Sequence, residues 1–157
     1  MERTLIILKP DALQRGLVGA IISRFEQKGL QIAALKMLTI SPELAARHYA
    51  PHVGKPFYDG LVRFMTSSPV IVMALEGKNA IDVCRKMMGA TFGFKAEPGT
   101  IRGDFGVSSS FNLIHGSDSP PSAQTELALW FQPEEFQNYQ LATRPWAYDL
   151  SKGEDQS

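Results

Sequence analysis

Thr4-Leu5-Ile6-Ile7-Leu8-Lys9-Pro10-Asp11 is an aliphatic run that stops abruptly. Unbroken apolar residues over this length are the pattern of a strand buried on both faces. Pro10 lacks the N–H that a ladder requires, so the strand ends at Lys9. A lysine closing a buried strand needs a partner or a cleft, and Lys9 is the first residue of chemical interest. Downstream, Val18, Ile21, Ile22 and Phe25 recur at helical spacing, with Arg24, Glu26, Gln27 and Lys28 largely opposite and Gly29 placed to end the helix. A second strand is expected over about Gln31 to Ile40. Ser41-Pro42-Glu43 reads as a helix start running to Tyr49, and a short helix is expected from Tyr58 to Met65. Val70 to Leu75 is the third strand, and Asn79 is placed to cap a helix on which Ile81, Cys84 and Met88 share a face. Leu127 to Phe131 is the last apolar run and the expected fourth strand.

This order fits an α/β chain of the α+β kind, a ferredoxin-like four-stranded antiparallel sheet with helices on one face. Residues 89–119 carry Gly, Ser, Thr and Phe with no sustained period, the mark of a long loop that is either functional or disordered. Residues 1–150 form one expected domain, and the polar tail at residues 151–157 is expected to fray.

The 157 residues are 44% hydrophobic, enough for one sizeable core. Sixteen basic residues balance sixteen acidic ones, so charge favours neither nucleic acid nor membrane as a broad partner. The single Cys84 excludes an internal disulfide and a cysteine-rich zinc site. Neither a signal peptide nor a membrane span is legible, and a cytoplasmic location is expected on that ground.

Phosphate-binding glycine loops are missing, as are the zinc-protease and serine-elbow motifs. The candidate chemistry lies in Gly99-Thr100-Ile101-Arg102-Gly103-Asp104-Phe105 and in Asn112-Leu113-Ile114-His115-Gly116-Ser117-Asp118-Ser119, with Glu126 beyond. Read without context, His115 is one histidine among three. His48, on a helix, and His52, beside Pro51, read as structural or surface residues. Cys84, Met87 and Met88 read as packing, and Asp118 as a cap or local hydrogen-bond partner.

Together with Lys9-Pro10-Asp11 and Arg24-Phe25-Glu26-Gln27-Lys28-Gly29, these motifs resemble the nucleoside diphosphate kinase family from about Arg3 to Phe136. The resemblance implies a kinase that moves the γ-phosphoryl group of a nucleoside triphosphate to a nucleoside diphosphate through phosphorylated His115. Ping-pong kinetics follow from such a covalent intermediate. Glu126 matches the carboxylate that orients the imidazole, and Ser117 a hydroxyl beside the reacting phosphate. Arg85, Thr91 and Arg102 match phosphate-binding side chains. Lys9 and Asn112 match residues that reach sugar hydroxyls and phosphates, while Tyr49 supports either Lys9 or the histidine. Phe57 matches the aromatic on which the base stacks, and stacking discriminates little among bases. Mg²⁺ is implied, held mainly by nucleotide oxygens and water. The family implies a homo-oligomer, and Gln137 to Leu150, with Trp146 and Tyr148, resembles the tail of hexameric rather than tetrameric members.

Two stretches depart from the family pattern: Phe92-Gly93 after Thr91, and Ser108-Ser109-Ser110-Phe111 before Asn112. Two rivals follow from the sequence. Thr91-Phe92-Gly93-Phe94 has the aromatic-glycine-aromatic core of an RNA-recognition motif, without its basic-glycine start. An inactive relative kept as a scaffold is the other, against which stand His115, Arg102 and Lys9.

Overall fold

The computed structural model describes residues 1–156. Its strands are β1 (Glu2–Leu8), β2 (Gln31–Leu38), β3 (Val70–Gly77) and β4 (Ile114–Gly116). The helices are α1 (Pro10–Gln14), α2 (Val18–Lys28), α3 (Pro42–His48), α4 (Tyr58–Thr66), α5 (Ala80–Met88), α6 (Ile101–Phe105), α7 (Pro120–Trp130) and α8 (Arg144–Ala147). The sheet runs β2-β3-β1-β4, and every neighbouring pair is antiparallel. This is the ferredoxin-like plan.

Alternation along β1 divides the core. Ile6 and Leu8 pack with Ile21 and Phe25 of α2 and with Ala80, Cys84 and Met88 of α5. Leu5 and Ile7 face the other way, onto Ala45 of α3, Tyr49, Met65 of α4 and Trp130 of α7. Helices therefore cover both faces of the sheet, where the sequence order had placed them on one. The aliphatic run of β1 already required this, because its residues from Leu5 to Leu8 are all fully buried.

The fourth strand is elsewhere than expected. Leu127 to Trp130 form the last turn of α7, and β4 is the three-residue segment Ile114–Gly116. Ser119 Oγ accepts the Ser122 N–H at 3.2 Å, and prolines fill the first helical positions. That start commits the following residues to a helix. Glu126 accordingly sits on a helix and not at a strand start. Asn79 adopts a left-handed conformation with no side-chain cap bond, and Glu2 Oε1 accepts the Ile81 N–H at 2.8 Å in its place. The polar end expected to fray carries 3-10 turns at Leu150–Lys152 and Glu154–Gln156, with Asp155 3.2 Å from Arg144.

Candidate active site

β4 delivers His115 to the face covered by α3, α4 and α7. Its register pairs His115 with Ile7, and directly paired residues of antiparallel strands project to the same side. The chain reaches β4 through Leu113, which has φ 73°, a conformation costing a non-glycine residue about 1–2 kcal/mol. Neighbours hold it there. The Leu113 N–H donates to Asp11 Oδ2 at 3.1 Å, and its carbonyl accepts the Lys9 N–H at 2.9 Å. Arg102 clamps the flanking backbone, donating to Asn112 O at 3.1 Å, Ile114 O at 2.6 Å and Gly89 O at 3.1 Å. Burial, then the nearby Arg85, lowers the Arg102 pKa to about 10, which leaves it charged at neutral pH.

Lys9 Nζ donates to Asn112 Oδ1 at 2.7 Å, and Asn112 Nδ2 donates to Thr91 O at 3.0 Å. Burial, followed by repulsion from Arg102 and against attraction by Asp11, pulls the Lys9 ammonium down to about 8. Arg85 joins through Nη1, which donates to Gly116 O at 3.2 Å.

Glu126 reaches across from α7. His115 Nε2 lies 3.2 Å from its Oε1 and 3.1 Å from its Oε2, and Ser117 Oγ donates to Oε1 at 2.6 Å. Burial pushes the Glu126 carboxyl up, but the bonds from His115 and Ser117 and the facing histidines outweigh it, so it falls below its usual range. An ionised carboxylate only accepts, so Nε2 carries the proton and neutral imidazole keeps its lone pair on Nδ1. Among the described residues nothing hydrogen-bonds Nδ1.

The expected residues therefore form two linked groups. His115, Glu126 and Ser117 make one hydrogen-bonded set. Lys9, Asn112, Thr91 and Arg102 make another, joined to the first through the Asn112–Ile114 backbone. Tyr49 lies beside them, its ring edge-on to His48 at 4.6 Å, with burial and Glu126 raising its pKa. Phe57 stands apart at the N-cap of α4, 52% exposed, with the His52 ring 5.3 Å away. Asp118 sits at the start of α7, its carboxyl held low chiefly by a Ser122 hydrogen bond.

Sequence reading missed three participants. His48 is not a bystander: its ring meets His115 edge-on at 5.0 Å, and Nε2 is 4.0 Å from Glu126 Oε2. Trp130 Nε1–H donates to His48 Nδ1 at 2.9 Å, and Asp11 secures Leu113. Only Asp11 carried a signal, in Lys9-Pro10-Asp11; nothing local links His48 to residues 67 or more positions away.

His48, His115 and Glu126 bring ligand-type atoms within 4.8 Å of one another. That nitrogen-rich set suits Mg²⁺ poorly, since this ion prefers oxygen. Indole N–H only donates, so His48 Nδ1 must be the bare nitrogen and Nε2 is occupied by its proton. This triad does not fit a magnesium site. The RNA-binding rival also loses its platform. Phe92 and Phe94 flank a 3-10 turn at Gly93–Lys95, not a strand, and helices cover both sheet faces.

An antiparallel α+β sheet presents a carboxylate-oriented histidine among basic side chains, an arrangement suited to an imidazole acting on an anionic group. Similarity narrows the class. The family model for nucleoside diphosphate kinase matches residues 2–136. A nucleoside diphosphate kinase of Pelotomaculum thermopropionicum is 55% identical over 149 residues, spanning 95% of this chain and all of that protein. One from Synechococcus sp. is 54% identical over the same length and shares. Among solved structures, the Halobacterium salinarum enzyme in complex with CDP superposes with a TM-score of 0.92 at 47% identity, covering 94% of this chain and 98% of that one. A Borrelia burgdorferi transition-state mimic with vanadate and ADP gives a TM-score of 0.87 at 38% identity, covering 90% and 94%. The chain belongs to the nucleoside diphosphate kinase family.

Proposed function

We propose that this chain transfers the γ-phosphoryl group from a nucleoside triphosphate to a nucleoside diphosphate through phospho-His115. Nδ1 attacks the γ-phosphorus, the bond to the bridging oxygen breaks, and the diphosphate leaves with the electron pair. An acceptor diphosphate then attacks the phosphohistidine from the same pocket, returning the lone pair to Nδ1. The observation that carries this reading is the Glu126 contact at 3.1 Å, which commits Nε2 and leaves Nδ1 free. Glu126 also stabilises positive charge on the ring as the N–P bond forms.

Lys9, Arg85, Arg102 and Thr91 are the proposed phosphate-binding side chains, with Lys9 and Asn112 also serving the sugar. Arg102 has a second part in this scheme, since its backbone bonds set the approach of β4. Ser117 acts by fixing Glu126. Phe57, exposed and aromatic, offers a face to any base and supports broad specificity. A Mg²⁺ ion carried by the nucleotide would supply further neutralisation of phosphate charge beside Lys9, Arg85 and Arg102. Relatives solved with CDP and with ADP and vanadate support nucleotide partners.

The proposal extends to a homo-oligomer, a hexamer in preference to a tetramer, and to a cytoplasmic setting where nucleotides are pooled. Among the described residues no helix is long and apolar enough to cross a membrane.

Intact mass after Mg-ATP, and again after GDP, tests the relay. One acid-labile phosphate per subunit is expected, lost as GTP forms and absent in His115→Ala. A folded wild type that stays unmodified and makes no GTP overturns the reading in favour of a scaffold.

A further inference from the structure

His48 takes no part in the scheme above, yet it is buried against the reacting pair. Its side chain is 3% exposed. Its ring stands edge-on to His115 at 5.0 Å, to Tyr49 at 4.6 Å and to Trp130 at 5.3 Å. The Trp130 Nε1–H, at 2.9 Å, points at Nδ1. Because an indole cannot accept, this bond decides the tautomer: Nδ1 is bare and the proton is on Nε2. That Nε2–H faces Glu126 Oε2 from 4.0 Å, too far for a full hydrogen bond but near enough for its dipole to act on a half-buried carboxylate.

We propose that His48 is a positioning residue for phosphoryl transfer, held by Trp130 in the Nε2–H tautomer so that it steadies Glu126 against His115. The inference rests on the phosphohistidine reading. Its physical content lies in the choice of tautomer. With the proton on Nδ1, a bare Nε2 would oppose the carboxylate and drive it off His115. With both nitrogens protonated, His48 would compete with His115 for the same negative charge. The titratable groups facing it are His115, Glu126, Lys9, His52 and Tyr49. Burial foremost, then His115, lowers the His48 pKa to about 4, against the attraction of Glu126. It is thus neutral well above pH 4, and Trp130 is the reason the neutral form points the right way.

His48→Phe keeps an aromatic ring and removes both nitrogens. It should lower kcat by about tenfold, within the ~100-fold that a misplaced reacting group can cost, with KM changed by less than about twofold. His48→Gln, whose amide can present an N–H to Glu126, should recover most of the rate. Trp130→Phe, which frees the tautomer, should fall in the same direction and be non-additive with His48→Phe. Nitrogen NMR of the wild type should show His48 protonated on Nε2 alone. A purely structural role predicts otherwise: fewer phosphorylatable subunits, an unchanged rate in each, and no rescue by Gln. That pattern, full activity in folded His48→Phe, or a proton on Nδ1 overturns the inference. Should His48→Phe fail to fold, Trp130→Phe and the NMR measurement decide it. A wild type that Mg-ATP does not phosphorylate defeats the functional reading and this one together; a phosphorylated wild type with an indifferent His48 defeats this one alone.

Discussion

Lys9 illustrates how one residue is set by its surroundings. It closes β1, and its ammonium is directed to Asn112 by a 2.7 Å bond. Burial first, and Arg102 second, bring it from its ordinary 10.5 down to about 8. Only the protonated form attracts phosphate, so nucleotide capture should weaken as pH rises through about 8, well before an ordinary lysine would respond. The pH profile of kcat/KM, which reports free-enzyme groups, should fall on its alkaline side near that value. In Lys9→Ala the overall level should drop and this limb vanish; an unchanged limb would assign it to another group. The same shift has a consequence for stability. Between about 8 and 10.5 the unfolded chain holds a proton that the folded one has released, so this group's contribution to stability rises with pH there.

At the scale of the element, β4 has only three residues and little ladder of its own. It is held by Arg102, by Asp11 through Leu113, and by Ser117, whose N–H donates to Leu5 O at 3.1 Å. Against α5 it packs through Gly116, where an added Cβ would lie 2.6 Å from Met88 Sδ and 3.2 Å from Ile6 Cδ1. Gly116→Ala should therefore force strand and helix apart, costing about 1–3 kcal/mol and moving the neighbouring His115. Denaturant unfolding should show the destabilisation, and the phosphorylation rate should fall with it. Native stability and rate would mean that Met88 swings aside without moving the strand. Sequence periodicity had no purchase on an element this short. The sequence suggested a cap at Asp118, yet the apolar run after Glu126 reads as a strand because length and composition alone do not separate strand from helix.

Across the whole molecule, the sheet leaves β2 as an edge. Its residues Leu35 and Met37 are 46% and 62% exposed, and an apolar edge invites a second strand. Trp146 on α8 is 91% exposed, a large apolar surface for a lone subunit. Both fit the proposed self-association. Sedimentation velocity should give a mass several times that of one chain, near six for the favoured hexamer. Replacing Leu35→Lys together with Met37→Lys should reduce the assembly while leaving each subunit folded. Retention of the full assembly would place the contacts elsewhere.

The sequence by itself determined much of this protein. The run at Leu5 to Leu8 required a strand buried on two sides, the spacing of Val18 to Phe25 a helix ending at Gly29, and the motif around His115 the family. These are local signals: periodicity, turn chemistry and a contiguous motif survive in one dimension. Tertiary structure decided what depends on distant residues meeting. It placed Glu126 on a helix against Nε2 of His115, and brought His48, Trp130 and Asp11 beside them. Hydrogen-bond direction, burial and tautomer depend on three-dimensional neighbours, and sequence spacing does not encode which neighbours those are.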